Sequence, residues 1–141
     1  MHVVIPSHLV ADGDVDEPTA GAVLRFGVRV VDFRGAIEEP RRLLRLEGRV
    51  TWARFDHFGI GAELVVATDD GFPVLTQGTS NDEETMPRPG DLVVVEGRAI
   101  AIAGNEYVDS ALPDVRTEWI VGSWSQREET LDYYVHVRPV V

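Results

Sequence analysis

The sequence predicts an all-β fold, a small antiparallel Greek-key barrel with extra N- and C-terminal strands and at most one or two short helical turns. Three observations predict it. Residues 89–104 (PGDLVVVEGRAIAIAG) form a long apolar run that a Pro-Gly-Asp turn opens. Residues 40–55 (PRRLLRLEGRVTWARF) repeat its plan, with Pro, Leu and Glu-Gly-Arg at matching points. Asp70-Gly71 separates two apolar runs, which is a strong hairpin signal.

Length and composition bound the class of protein. A chain of 141 residues, 44% hydrophobic and 26% charged, fits one globular domain. Its net charge of −11 disfavours nucleic acids and anionic membranes as partners. Without cysteine it has no disulfide, thiolate metal site or cysteine nucleophile. Every basic residue is arginine, which indicates a GC-rich bacterial genome. We expect a cytoplasmic protein, because the N-terminus lacks the features of a signal peptide.

The first elements are two strands separated by an acidic loop. Residues 2–10 predict an edge strand, since Pro6 cannot donate to a ladder. Residues 12–18 are acidic and predict a solvated turn. Residues 22–33 predict a second strand with apolar residues on both faces, which we expect to be covered on both sides.

The two repeat strands alternate with period two, and each has a glycine at its centre. In the first copy, Leu44, Leu46, Gly48, Val50 and Trp52 face inward and the arginines outward. The inward set of the second copy is Val93, Val95, Gly97, Ala99 and Ala101. Its other face carries Leu92, Val94, Ile100 and Ile102, so we expect the second copy to be buried on both sides. The glycines predict a bend or bulge in each strand.

The remaining elements follow from turn and cap signals. Residues 62–68 and 72–77 form the predicted hairpin, with Pro73 at a sheet edge or with its nitrogen turned outward. Residues 79–86 predict a polar loop or one helical turn. Residues 117–124 and 131–137 predict a last strand pair. Between them, residues 125–128 (SQRE) fit a capping box that could start a helical turn.

Leu43 to Val108 resembles an OB-fold domain. The residues that carry the resemblance are a first strand with an internal glycine (LLRLEGRVTWARF), the Asp-Gly hairpin, a polar crossover and a strand of the form PGDLVVVEGRAIAI. The resemblance implies an OB-like core over about residues 40–108. N-terminal strands over 2–33 and a C-terminal pair over 117–138 would pack on this core in a single domain, 1–141. Members of this class often bind single-stranded nucleic acid.

An arginine-rich strand is the first candidate binding surface. Five arginines lie between positions 41 and 54, with aromatic residues close by. A cationic groove with aromatic platforms is typical of single-strand binding. The candidate binding residues are Arg45, Arg49, Arg54, Phe55, His57 and Phe58. A strand whose arginines only form ion pairs with acidic residues of the same chain would have the same sequence.

A second candidate is Asp56-His57, where a histidine beside a carboxylate could act as a general base or metal ligand. No second histidine lies at ligand spacing, and no nucleophile motif, P-loop or dinucleotide fingerprint is present. We therefore predict no catalytic residues, no metal site and no cofactor. A small enzyme or metal-dependent hydrolase at Asp56 and His57 remains an alternative.

The C-terminal aromatics are a candidate protein interface. They are Trp119, Trp124, Tyr133 and Tyr134. Trp119 precedes Ile120 and the two tyrosines are adjacent, so one member of each pair should face away from the core. Aromatic residues on an outer sheet face often mark a partner surface, although a second layer of structure could equally cover them.

The sequence favours a non-catalytic binding or assembly module with a protein partner, which could be a second copy of the chain joined through a strand edge. A single-stranded nucleic-acid binder is the first alternative, although the net charge of the chain disfavours it. The small enzyme is the second alternative.

Overall fold

The structure is a computed structural model that describes residues 1–31, 44–56, 61–77, 82–103 and 112–140. Within these residues the chain forms eight β-strands and one short helix, which confirms the all-β class. The strands are β1 (His2–Ile5), β2 (Val23–Val31), β3 (Leu44–Asp56), β4 (Gly61–Thr68), β5 (Pro73–Gln77), β6 (Leu92–Ile102), β7 (Thr117–Gln126) and β8 (Tyr133–Pro139), and the helix is α1 (Ser7–Ala11). Backbone pairing joins the strands into one sheet. No helix of the described ranges is long and apolar enough to cross a membrane.

The chain divides into two compact units, and the first contains Met1–Arg29 and Ala99–Val141. In it, β8 pairs antiparallel with β1 and with β7, and β7 pairs antiparallel with β2. Strand β1 also runs parallel to β6, with Val4 opposite Ile100. The core of this unit includes Ile5, Leu9, Leu24, Phe26, Val28, Trp119, Val121, Val135 and Val137. Its strands are therefore built around alternating apolar residues, as the period-two pattern predicts.

The second unit is Val30–Arg98. Here β3 pairs antiparallel with β4 along one edge and with β6 along the other, and β4 pairs antiparallel with β5. The buried residues include Leu46, Val50, Leu64, Val66, Val74 and Val95. The two repeat copies, β3 and β6, are thus direct neighbours that present matched inward faces to this core.

The first predicted strand is wrong beyond Ile5. Pro6 ends β1 and occupies the N-cap position of α1, with φ −57° and ψ 138°. The helix buries Leu9, and the backbone N–H of Ser7 donates to a carboxylate oxygen of Asp132 at 2.8 Å. Pro6 fixes an extended backbone at the helix entrance, and the buried leucine stabilises a turn that has weak intrinsic propensity.

The prediction that β2 is covered on both faces is also wrong. Its buried side chains are those of Leu24, Phe26, Val28 and Val30, which alternate along the strand. On the other face, Val23 is exposed. The period-two alternation of the sequence is correct. However, the apolar residues on the outer face made it impossible to tell from the sequence which face of the strand is exposed to solvent.

The second repeat copy is not buried on both sides. Leu92 is 71% exposed and Val94 is 49% exposed, although Ile102 is buried. Leu92 lies opposite Arg49, and Val94 opposite Glu47. Facing residues of an antiparallel pair share one side of the sheet. These apolar side chains therefore lie on the same solvent-exposed face as the charged side chains of β3.

The central glycines of the two copies each allow a close approach of backbones. A Cβ added at Gly48 would overlap the carbonyl oxygen of Ala67 and lie 2.8 Å from the Cα of Thr68. A Cβ at Gly97 would overlap the carbonyl oxygen of Val31 and lie 2.8 Å from its carbonyl carbon. Both contacts are with main-chain atoms, which cannot rotate away. The repeated glycine is therefore a packing requirement in both strands.

The predicted hairpin is present, with Gly71 in the left-handed region at φ +94°. Its turn is closed by the N–H of Gly71, which donates to Thr68 O at 3.0 Å, and by the hydroxyl of Thr68, which donates to Phe72 O at 2.7 Å. Strand β5 has β4 and β2 as neighbours, so the edge alternative is wrong. Pro73 is the first residue of β5, a position where proline is tolerated.

The last strand pair is confirmed, and the single helical turn predicted to begin at residues 125–128 is present but shifted. The N–H of Leu131 donates to Arg127 O at 2.8 Å, an i to i+4 bond, so the turn begins after β7 and not at Ser125. Ser125 and Gln126 remain in β7. The N–H of Arg127 donates to Asp132 O at 2.9 Å, which extends the ladder to the turn. Leu131 closes that turn at φ +62°. Cross-strand hydrogen bonds therefore satisfy the backbone that a capping box would have used.

Candidate functional site

The outward side chains of β3 and β6 form the first candidate surface, which we call the β3–β6 outer face. Its members are Arg45, Glu47, Arg49, Leu92, Val94 and Glu96. Arg45 lies 3.4 Å from Glu96 and 3.6 Å from Glu47, and all three side chains are largely exposed. One arginine is thus shared by two glutamates. Around Arg45 the face carries no excess of positive charge.

Arg49 and Arg54 also have partners within the chain. Arg49 donates from Nη1 to the carbonyl oxygen of Gly90 at 3.0 Å. Arg54 pairs with the half-buried side chain of Glu63 at 3.2 Å and lies over the ring of Trp52, 5.5 Å from its centroid. Trp52, expected in the core, is only half-buried because a bulge between Val50 and Trp52 shifts the register with β4.

The rest of the predicted arginine site is only partly described. Phe55 is half-buried and lies opposite Ala62, and Asp56 lies opposite Gly61 at the end of the β3–β4 ladder. His57 and Phe58 lie outside the described residues. The predicted general-base or metal-binding pair at Asp56 and His57 therefore stays a hypothesis.

Two other histidines, remote in sequence, come together across β1 and β8. His2 and His136 face each other, and their ring centroids are 4.6 Å apart in an edge-to-face arrangement. In the part of the chain that the structure describes, no three histidine or acidic side chains are grouped so that they could hold a metal ion. Two exposed imidazoles do not by themselves supply a full ligand set.

An ion cluster precedes β7. The guanidinium of Arg116 donates to the carboxylate of Asp114 from Nε and Nη2, with a shortest distance of 2.7 Å. This side-chain hydrogen bond is the main reason why the pKa of Asp114 is lowered from 3.8 to about 2, against a smaller opposing effect of burial. The backbone N–H of Arg116 and the nearby charge of Arg25 add to the lowering.

The C-terminal aromatics separate into core and surface. Trp119 is fully buried, stacks on Phe26 at 5.7 Å between centroids, and donates from Nε1 to Phe26 O at 3.0 Å. Tyr133 is also buried. Trp119 and Tyr133 are therefore structural, because a buried indole with a satisfied N–H has no free face for a partner.

Trp124 and Tyr134 are the aromatics that reach solvent. Trp124 is 42% exposed, and its ring lies 5.9 Å from that of Tyr133. Tyr134 is half-buried, with the guanidinium of Arg127 over its ring at 5.0 Å. Of the four residues in the predicted interface, two can thus touch a partner without unfolding of the core.

The strand that carries Trp124 loses one of its neighbours at that point. Pairing of β7 with β2 reaches Ile120 opposite Val23, and the N–H of Val121 donates to Ala22 O at 2.9 Å. Beyond this point Gly122–Gln126 is exposed at every residue, and the ladder of the described residues continues only with β8. We call residues Gly122–Gln126 the Trp124 edge.

The backbone direction of the Trp124 edge follows from hydrogen bonds at its two ends. Alternate residues of an antiparallel strand turn their N–H and C=O groups to opposite neighbours. The N–H of Val121 points to β2, whereas that of Arg127 points to β8. A register shift between Val121 and Trp124 accounts for the change. Ser125 therefore faces β8, and the polar backbone groups of Trp124 and Gln126 face away from it.

Sequence reasoning located Trp124 but missed the open backbone around it. The available signal was a run of small and uncharged residues on both sides of the indole, GSWSQ, without proline or charge. Such a run lacks the devices that usually protect a strand edge. The bulge that reverses the backbone direction of this edge relative to β8 had no sequence signal beyond Gly122 itself.

No protein-family model matches the chain, and no curated protein or solved structure shows significant similarity to it. The inference of function therefore rests on the chain's own chemistry.

Proposed function

We propose that this protein is a non-catalytic binding or assembly module that recognises a protein partner through the Trp124 edge. The observation that carries the proposal is the combination of a 42% exposed indole with an exposed strand segment that is paired along one side by β8. A partner strand can add to such an edge through main-chain hydrogen bonds, while the indole supplies a large apolar contact.

The chemistry of the edge favours a protein over a nucleic acid. Residues Gly122–Gln126 carry no charge, and the chain as a whole carries −11. Nucleic-acid binding draws most of its affinity from cations that neutralise phosphates. Of the arginines predicted to bind nucleic acid, Arg45 is shared by two glutamates and Arg54 is paired with Glu63.

The proposal extends to the architecture and location that the sequence predicts. We infer that the eight strands close into a small barrel of OB-like type that acts in the cytoplasm. The adjacency of the two repeat strands and the Asp-Gly hairpin support this architecture. OB-like and other Greek-key barrels use their rims for recognition, which is compatible with a binding site at a strand end.

Site-specific photo-crosslinking tests the binding surface. A photoreactive phenylalanine analogue placed at Trp124 should yield a discrete protein adduct when the variant is expressed in its own host. The same analogue at Leu92, which is 71% exposed on the β3–β6 outer face, is the matched control and should yield none. Equal adducts from both positions, or none from Trp124, would contradict the assignment of this edge as the binding surface.

A further inference from the structure

The Trp124 edge is complementary to itself. Trp124 and Gln126 turn their backbone groups away from β8, and Ser125 lies between them with its groups toward β8. If a second copy of the edge runs antiparallel with Ser125 opposite Ser125, then Trp124 of each copy lies opposite Gln126 of the other. Both residues of such a pair exchange N–H···O=C bonds, so every outward-facing backbone group of the two residues is satisfied.

We propose that the partner at this edge is a second copy of the chain, joined by antiparallel β7–β7 pairing on a two-fold axis at Ser125. The inference rests on the proposed function, since it names the partner of the same edge. A two-fold axis makes the contact self-complementary, as in most small homo-oligomers. The axis also brings the exposed indole of each copy beside Gln126 of the other.

Charge favours a second copy at this position. An acidic chain of net charge −11 repels itself at most contacts, but the edge contributes no charge between Val121 and Arg127. Arg127 follows the edge directly, and Glu128 and Glu129 come next. Two copies therefore meet at an uncharged segment, with the charged residues of each chain only beyond its ends.

The size of the edge sets the expected strength of the dimer. The edge is five residues long, and a contact of that size buries less than the ~1,200 Å² typical of stable complexes. The dimer should therefore form and dissociate with concentration. Sedimentation velocity of the full chain over a wide concentration range should show a shift from the 15.6 kDa monomer towards twice that mass.

A charge exchange at Ser125 tests the two-fold axis directly. Facing residues of an antiparallel pair have their Cβ atoms about 5 Å apart, so Ser125→Asp places two carboxylates opposite each other only in the dimer. Each of Ser125→Asp and Ser125→Arg should weaken self-association about fivefold. An equimolar mixture of the two variants should associate more strongly than either variant alone. Ser125 is exposed, so neither change should disturb the monomer.

A second pair of variants tests the backbone hydrogen bonds. Gln126→Pro removes the N–H that faces the partner and should weaken the dimer at least about tenfold, since the symmetric contact loses that bond twice. Gln126→Ala is the control, because it removes the side-chain bond to Leu131 O but keeps the N–H. The alanine variant should dimerise like the wild type, and circular dichroism confirms that both variants are folded.

The outcomes separate the two proposals. A wild-type chain that stays monomeric at every concentration, or a mixture that associates no better than its components, overturns the two-fold pairing. If such a monomer still gives a discrete adduct with a different protein from Trp124, the binding function stands with another partner. If it gives no adduct, both proposals fail.

Discussion

The β3–β6 outer face and the Trp124 edge differ in what remains for a partner to bind. On the outer face, Arg45 and Arg49 each have an acceptor within the chain, and so does Arg54 further along β3. On the Trp124 edge, the ladder partner on one side ends at Ile120 while the strand continues. A run of arginines in an acidic protein can therefore serve to bind acceptors of the same chain and not an external partner. An uncharged strand end that has lost one ladder neighbour can offer a partner more unoccupied backbone groups than such a run of arginines.

One of the two largest expected effects distinguishes a glycine in close backbone contact from a glycine without such contact. Gly48→Ala should lower the free energy of unfolding by about 3 kcal/mol or more, because the new methyl group meets the backbone of Ala67 and Thr68. Gly122→Ala, at the Trp124 edge, brings its Cβ no closer than 3.4 Å to His136 O and should cost less than about 1 kcal/mol. Urea denaturation of both variants measures the difference. Equal losses would contradict the close approach at Gly48.

The two tryptophans of β7 should separate stability from binding. Trp119→Ala should cost about 3–5 kcal/mol, since it empties a buried site and removes the bond to Phe26 O. Trp124→Ala should cost about 1 kcal/mol, through its ring contact with Tyr133, yet abolish the photo-crosslink from a reactive group placed at Ser125. Thermal unfolding and crosslinking measure the two effects. A Trp124→Ala variant that keeps the adduct would remove the indole from the site.

Substitutions at the β3–β6 outer face should have small effects. Arg45→Gln should change the free energy of unfolding by about 0–1 kcal/mol, because its ion pairs are exposed. We also expect no binding of short oligonucleotides at low ionic strength, where electrostatic attraction is largest. Fluorescence anisotropy with labelled single strands measures this. Salt-sensitive binding that Arg45→Gln weakens would restore the nucleic-acid alternative.

The smallest effect concerns pH and the ion cluster before β7. The pKa of Asp114 is lower in the folded protein, about 2, than its ordinary value of 3.8. Its stabilising contribution is therefore complete above about pH 4 and is lost as pH falls towards 2. Asp114→Asn should flatten this part of the stability curve, which acid denaturation of the variant and the wild type measures. An unaltered acid limb in Asp114→Asn would contradict the role of Arg116.

Much of the fold could be predicted because period two and turn chemistry are local signals. The repeat strands, the hairpin at Asp70-Gly71 and the inward set around Gly48 and Gly97 all follow from them. The helix at Ser7–Ala11 could not be predicted, because a tertiary contact of Leu9 outweighs a weak local propensity. The exposure of Leu92 could not be predicted either, since it depends on which residues of β3 lie opposite.

The aromatic side chains of the candidate site could be predicted from the sequence, but the direction of its backbone hydrogen-bonding groups could not. The adjacency of Trp119 with Ile120, and of Tyr133 with Tyr134, indicated that one member of each pair faces outward, but not which one. The backbone direction of the Trp124 edge depends on the register shift after Val121, which turns the N–H and C=O groups of the following residues over relative to β8. One extra residue in a strand is decided by pairing partners far away in sequence. A single sequence contains that information only indirectly.

Amide hydrogen exchange along the Trp124 edge tests the central claim most directly. In dilute protein the amides of Trp124 and Gln126 should exchange rapidly, while that of Ser125, which faces β8, should be protected. At high protein concentration, or with the bound partner, the first two should become protected and Ser125 should change little. Protection of Trp124 and Gln126 already in dilute protein, or no change on association, would contradict the assignment of this edge as the binding surface.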